Sequence, residues 1–209
     1  MTLTNKVIGL SGVAGSGKDL FFTLLSKIKK CRRISIADAL KEEVNPWTKE
    51  HYGVNSVTCS REEKELIRPF LVFHANLKRG QSQGRHWINI LDKNIKNLKL
   101  DDDEVLVITD IRFDHYTDDE VFWLKQELNG LLVHICNYCK VNSGGAAPPI
   151  IVEKNPANDS EKINDPKLKI NADHCIRWEF MQKPKVETYE TLTKKYIIPF
   201  AKKYLDYEE

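Results

Sequence analysis

A three-layer α/β fold with a mainly parallel, five-stranded sheet is predicted for this chain by two observations. Short apolar runs, Val7 to Leu10, Val105 to Ile108 and Leu131 to Cys136, alternate with longer stretches whose apolar residues recur at helical spacing. Strands covered on both faces by crossover helices read in this way. The first run ends in a glycine-rich turn, Gly12-Val13-Ala14-Gly15-Ser16-Gly17-Lys18-Asp19, which opens directly into Leu20-Phe21-Phe22. Sheets of this kind bind ligands beyond the carboxyl ends of their strands, and the turn lies at one of those ends.

Val7 to Ser11 is the first strand, followed by a helix from Lys18 to about Lys30 with Leu20, Leu24, Leu25 and Ile28 on one side. Arg33 to Ala37 reads as the second strand, and Asp38 as the N-cap of a helix that Pro46 is expected to stop. Ser60-Arg61-Glu62-Glu63 is a capping box, with Leu66, Ile67, Phe70, Leu71 and Phe73 as the apolar stripe of the helix it starts. A further helix runs from Trp87 toward Lys99, so that residues 51–98 form a helical insertion between strands two and three. Val105 to Asp110 is the third strand, 118–128 a helix closed by Gly130, and Leu131 to Cys136 the fourth strand. Residues 138–170, rich in Gly, Pro, Asn and Lys, lack a clear period and are expected to form a lid-like flap with little regular structure. Asp173 to Trp178 supplies the fifth strand and Val186 to Tyr204 a terminal helix.

A chain of 209 residues suits a single domain carrying such insertions. With 41% hydrophobic and 30% charged residues, wholesale disorder is excluded. The formal net charge of +2 supplies no broad attraction to nucleic acid or to a membrane surface. No run is long enough to span a membrane, and the expected location is the cytoplasm. Five cysteines, an odd number without a disulfide-framework spacing, are expected to be reduced.

The glycine turn matches the phosphate-binding pattern of two glycines flanking four residues and then lysine. Glycines let backbone N–H groups turn inward around an anion, the helix start adds partial positive charge, and Lys18 adds a full one. Val13, Ala14, Gly15, Ser16, Gly17, Lys18 and Asp19 are therefore candidate ATP-phosphate ligands. The last position, usually the Ser or Thr that faces Mg²⁺, is Asp19, whose carboxylate either approaches the metal or caps the helix. Asp110, at the end of the third strand, suits the magnesium shell, and Arg112 a bidentate phosphate contact; the alternative is a strand-end ion pair. Lys18, Asp110 and Arg112 are the catalytic candidates, Asp19 and Asp110 the metal candidates, and Mg²⁺ the expected cofactor. An acceptor that carries its own phosphate needs fixed cations near the transferring group. Lys41, Arg68, Arg79 and Arg85 are available, beside Asp38, and Arg68 stands out because it lies in an apolar helix. Cys136 and Cys139 have zinc-knuckle spacing, with His174 and Cys175 further on, but are assigned to a buried strand and a loop.

In this order the residues resemble the deoxynucleoside monophosphate kinases of bacteriophage type. The likeness rests on Gly17-Lys18-Asp19, Ala37-Asp38-Ala39-Leu40-Lys41, Arg68, Trp87, Asp110-Ile111-Arg112-Phe113-Asp114-His115 and Asn158-Asp159-Ser160-Glu161. It implies a P-loop kinase fold and transfer of the ATP γ-phosphoryl to a deoxynucleoside 5′-monophosphate. Asp38, Lys41, Arg68, Arg79, Trp87 and Arg112 become the acceptor-side candidates. The implied partners are ATP and deoxynucleoside monophosphates, without nucleic acid or membrane; a homodimer is left open. Family members often carry an arginine after the fourth strand, where this chain has Asn137-Tyr138-Cys139-Lys140, leaving Lys140 and Lys154 to substitute. Phosphomevalonate kinases share the Gly-Lys-Asp ending, so a kinase of another phosphorylated small molecule is the second reading. A non-catalytic nucleotide-binding module is the third.

Overall fold

The computed structural model describes residues 6–141, 149–180 and 186–208. Its sheet contains β1 (Val7–Ser11), β2 (Cys31–Ile34), β3 (Val105–Ile108), β4 (Leu131–Val141), β5 (Ile150–Glu153) and β6 (His174–Glu179). Strands β2, β3, β1, β4 and β6 are parallel neighbours in that order. The sheet has six strands rather than five, because β5 returns antiparallel to the far end of β4. Tyr138 pairs with Glu179 on one edge of β4 and with Glu153 on the other. Strand β5 therefore continues the edge that β1 occupies and stands beyond the end of β1, where the glycine turn begins.

Alternation along the strands makes the three layers. Ile8, Leu10, Val105, Val107, Val133 and Ile135 join Phe21, Leu24 and Leu25 of α1 (Lys18–Leu25) and Phe200 of the terminal helices on one face. Leu106, Ile108 and Leu132 face the other way, onto Trp87, Ile88 and Leu91 of α4 (Arg85–Asn97) and onto Trp123 and Leu124. A smaller cluster of Val44, Val54, Ile67 and Leu71 joins α2 (Ile36–Tyr52) to α3 (Arg61–Gln81). The capping box at Ser60 forms in both directions, Ser60 accepting from the Glu63 amide and Glu63 from the Ser60 amide.

Several expectations are corrected. Helix α2 begins at Ile36, not after Asp38, because Asp110 from the end of β3 accepts from the amides of Ile36 and Ala37, both at 2.8 Å. It also runs through Pro46 to Tyr52. A proline inside a helix costs about 3 kcal/mol, and the flanking turns are anchored well enough to bear it: Val44 and Thr48 are buried and Trp47 stacks on Phe70 at 4.5 Å between ring centroids. The flap is more regular than expected, holding β5 and α6 (Asp159–Asn171); its residues 142–148 lie outside the described residues. Helix α6 is hard to read from sequence because Ile163 and Ile170 are exposed and Leu168 alone of its apolar residues is buried. The helix expected at 118–128 is a short α5 (Glu120–Phe122) passing into a π-helical segment, Trp123–Glu127. The terminal helix is α7 (Val186–Leu192) and α8 (Ile198–Tyr204) joined by another π-helical segment, Thr193–Ile197.

Candidate active site

The glycine turn is a shell with its carbonyls tied outward. Lys18 Nζ donates to the carbonyls of Gly12 and Val13 at 2.5 and 3.0 Å, Asn137 Nδ2 to that of Gly15 at 2.8 Å, and Trp178 Nε1 to that of Ser16 at 2.9 Å. Asn137 and Trp178 hold two of these carbonyls from the β4 and β6 side, and the Ser16 amide donates to the Val13 carbonyl at 3.0 Å within the turn. Two glycines are obligatory here. Gly12 has φ 124°, and a Cβ on it would run into the Ile135 carbonyl; Gly17 has φ 104°, and its Cβ would lie 2.6 Å from the Trp178 ring. Ser16 Oγ is buried within the turn and has no hydrogen-bond partner among the described residues.

An anion from the protein itself reaches this cradle. Glu161, in the first turn of α6, accepts from the Ala14 amide at 3.1 Å and from Ala157 at 2.9 Å. Asn158 caps α6 by accepting from the Glu161 amide at 2.9 Å, which fixes where that carboxylate starts. On the β5 side, a Cβ on Gly15 would meet the ammonium of Lys154, so this lysine sits over the loop. Lys140 instead pairs with Glu179 at 2.7 Å. Burial and the neighbouring Arg112 push the Lys18 ammonium below its ordinary value, against the opposing pull of Glu161, Asp110 and Asp19.

Beside the cradle opens a cavity of about 250 Å³. Its cations are Lys41 from α2, Lys64 and Arg68 from α3 and Arg112 after β3, its apolar wall includes Leu40, Leu71 and Phe113, and Asn158, Ser160 and Glu161 close it from α6. Arg112 has a side chain 59% exposed and its nearest carboxylate oxygen, on Asp110, 3.7 Å away. Lys41, Arg68 and Arg112 of the acceptor-side candidates are thus brought to one cavity, joined by Lys64, which the sequence did not single out.

The surroundings of Arg68 and of the remaining candidates differ from those expected. Arg68 is not a charge embedded in an apolar helix, since its side chain is 53% exposed and forks onto Glu65 within the same turn. Asp38 is held by Arg33 at 2.7 Å and Lys41 at 3.1 Å and is absent from the cavity wall. Trp87 is 2% exposed, donates to the Ala75 carbonyl at 3.4 Å and packs in the core beneath the cavity. Arg79 is buried, forked onto Asp119 at 2.8 Å and Glu120 at 3.0 Å, with its guanidinium 3.7 Å from the Phe113 ring centroid. Both of its neutralising acids come from a segment 40 residues away, a pairing no local pattern announces. Arg85 is likewise paired, with Glu127 at 2.7 Å.

Asp110 is 4% exposed, and its two oxygens accept from Ser35 Oγ at 3.0 Å and from two α2 amides. Asp19, at the start of α1, accepts from Thr23 Oγ1 at 2.8 Å through its backbone carbonyl, and its carboxylate has no hydrogen bond or ion pair among the described residues. Cys136 and Cys139 both lie on β4, the first buried and the second exposed. No described helix is long and apolar enough to cross a membrane.

Neither a protein-family model nor a curated protein matches the chain. Among solved structures, shikimate kinase from Acinetobacter baumannii in complex with shikimate aligns over 97% of this chain and 96% of its own, at 15% identity and a TM-score of 0.46. Dephospho-CoA kinase from Campylobacter jejuni aligns over 96% of this chain and 100% of its own, at 13% identity and a TM-score of 0.35.

Proposed function

We propose that this protein is a kinase that moves the γ-phosphoryl group of ATP to the 5′-phosphate of a deoxynucleoside monophosphate. The observation that carries this reading is the junction of two anion sites: the glycine cradle opens beside a cavity bearing four cations, and Arg112 stands where they meet. A binding module needs only the first site. A phosphoryl acceptor that is itself a phosphate needs both, and its oxygen is already ionised, so no strong general base is required.

In this reading the triphosphate lies in the cradle, Lys18 exchanges its contacts with the Gly12 and Val13 carbonyls for phosphate oxygens, and Glu161 leaves the Ala14 amide. A cavity of about 200 Å³ lined by Tyr138, Val152, Lys154 and Phe180 receives the nucleoside end of ATP, an aromatic and apolar setting suited to a base. Lys154 stands in for the arginine expected after β4, and Arg112 faces the charge shared by donor and acceptor. Lys41, Lys64 and Arg68 hold the acceptor phosphate. Strand β5 and helix α6 form the lid that keeps water from the transferring group.

The donor set fits magnesium. Asp19 has a free carboxylate beside the loop, while Asp110, with three donors on its oxygens, suits contact through the metal's water shell. When bound with ATP, magnesium neutralises charge on the phosphates.

The test is ADP release from ATP and Mg²⁺ in the presence of each deoxynucleoside and ribonucleoside monophosphate in turn. Transfer to at least one deoxynucleotide is expected; ATP binding without ADP release from any acceptor would reduce the protein to a binding module. The apolar wall of Leu40, Leu71 and Val72 keeps a second acceptor class in view, and phosphomevalonate belongs in the same panel.

A further inference from the structure

Arg79, Asp119 and Glu120 form a buried cluster, of which Arg79 and Glu120 reach a small cavity of about 60 Å³ beside Trp87, Asp110 and Arg112, and the cluster holds the loop from which Arg112 projects. Glu120 is 1% exposed and Asp119 fully buried. Glu120 Oε2 accepts from the amides of Arg112 at 2.6 Å and Phe113 at 3.0 Å, while its Oε1 accepts from Arg79. Asp119 Oδ2 accepts from the amides of His115 at 2.9 Å and Tyr116 at 3.2 Å and from Arg79 Nη2 at 2.8 Å. Four amides of one irregular loop, residues 112 to 116, therefore end on two carboxylates bridged by one guanidinium.

The chemistry of this cluster exceeds what burial alone asks for. Two acids and one base removed from water are costly unless every lone pair and proton is used, and an apolar core of equal volume is often at least as stable. Here both acids are spent on the backbone that carries Arg112, and burial pushes the Glu120 carboxyl up to about 8 against the pull of Arg79. Arg79 belongs to α3, whose outer turns supply Lys64 and Arg68 to the cavity, and its guanidinium lies against the Phe113 ring, which also lines that cavity. The cluster thus sets the distance between the two walls that bear the acceptor-side cations.

We infer that Glu120, bridged by Arg79, is a positioning residue for acceptor binding, holding the Arg112 backbone so that its side chain, with few anchors of its own, points into the cavity. This rests on the kinase reading above.

The wild-type acceptor panel decides that reading by itself; transfer to no phosphorylated acceptor would remove both. On the acceptor that is phosphorylated, Glu120→Ala and the milder Glu120→Gln are compared with Arg112→Ala and with the double variants. Glu120→Ala should raise the acceptor KM about tenfold or more with the KM for ATP within about twofold of wild type, and should add little in the Arg112→Ala background, as expected for two residues acting through one contact. Unchanged acceptor KM in folded Glu120 variants, or effects that multiply with that of Arg112→Ala, would overturn the inference. Should both Glu120 variants fail to fold, hydrogen exchange on the wild-type protein remains decisive: the Arg112 and Phe113 amides should be protected to the level of β3, and rapid exchange there would defeat the proposal.

Discussion

The glycine cradle and the acceptor cavity are neighbours built by opposite strategies. The cradle is one contiguous stretch, 12–19, whose shape follows from where glycine must stand, while distant residues hold two of its carbonyls and Glu161 takes one amide. The cavity has no stretch of its own; its wall comes from α2, α3, the loop after β3 and the start of α6. Its cations are committed to different degrees, Lys41 being paired with Asp38 and Arg68 with Glu65. Arg79 and Arg112 look alike in sequence, yet one is enclosed by two buried acids and the other stands 59% exposed with its nearest carboxylate oxygen 3.7 Å away. Arg79 serves architecture, and Arg112 is free to meet a ligand.

The largest effect should come from breaking the cradle. Lys18→Ala is expected to lower kcat by about 1000-fold, more than loss of a single neutral donor, because a full charge facing the phosphates is removed; near-normal ADP production in a coupled assay would mean that the loop does not serve transfer. On the cavity side Arg112→Ala should cost about 100-fold in kcat/KM for the acceptor with ATP binding largely kept. A change confined to the KM for ATP would assign Arg112 to the donor site instead.

Glu161 sharpens the comparison, since it belongs to the cavity wall and occupies the cradle. Glu161→Gln removes a negative charge that an incoming phosphate must displace, so ATP should bind several-fold more tightly in calorimetry. Weaker binding in that variant would show that the carboxylate supports the nucleotide rather than competing with it.

Two smaller effects test the scaffold. For Asp119, burial acts to raise the carboxyl, and Arg79 with the amides of His115 and Tyr116 outweighs it, holding the group below its ordinary value of 3.8. A depressed pKa in the folded state stabilises the protein above 3.8, and that stability is lost as pH falls through the folded value. Acid unfolding should therefore flatten below about pH 4 in Asp119→Asn, and an unaltered acid limb would assign the loss of stability to other carboxylates. Ser60→Ala, outside both sites, should lower stability by about 1 kcal/mol in chemical denaturation through loss of the α3 cap. Its kinetics should match those of the wild type.

What could be read in advance follows the same division. The strands around Ile8, Val107 and Val133, the α3 capping box and the glycine turn between β1 and α1 were legible because each rests on neighbours in sequence. Helix α2 was misplaced because its cap is Asp110, contributed from the end of β3. The flap looked structureless because α6 buries little and is held largely by polar contacts, among them His134 with Asp165 at 3.0 Å. Trp87, read as a wall of the acceptor pocket, is a core residue, since its bulk fills the space between α4 and the sheet.

By itself the sequence determined the layered fold and the glycine turn between β1 and α1, because periodic burial and glycine conformation are local constraints on the chain. Only the tertiary structure decided which cations face the cavity and which are neutralised by buried acids, and that Glu161 and Lys154 each reach the loop. Charge pairing depends on which distant segments are brought within a few ångström, and neither spacing nor composition encodes that distance.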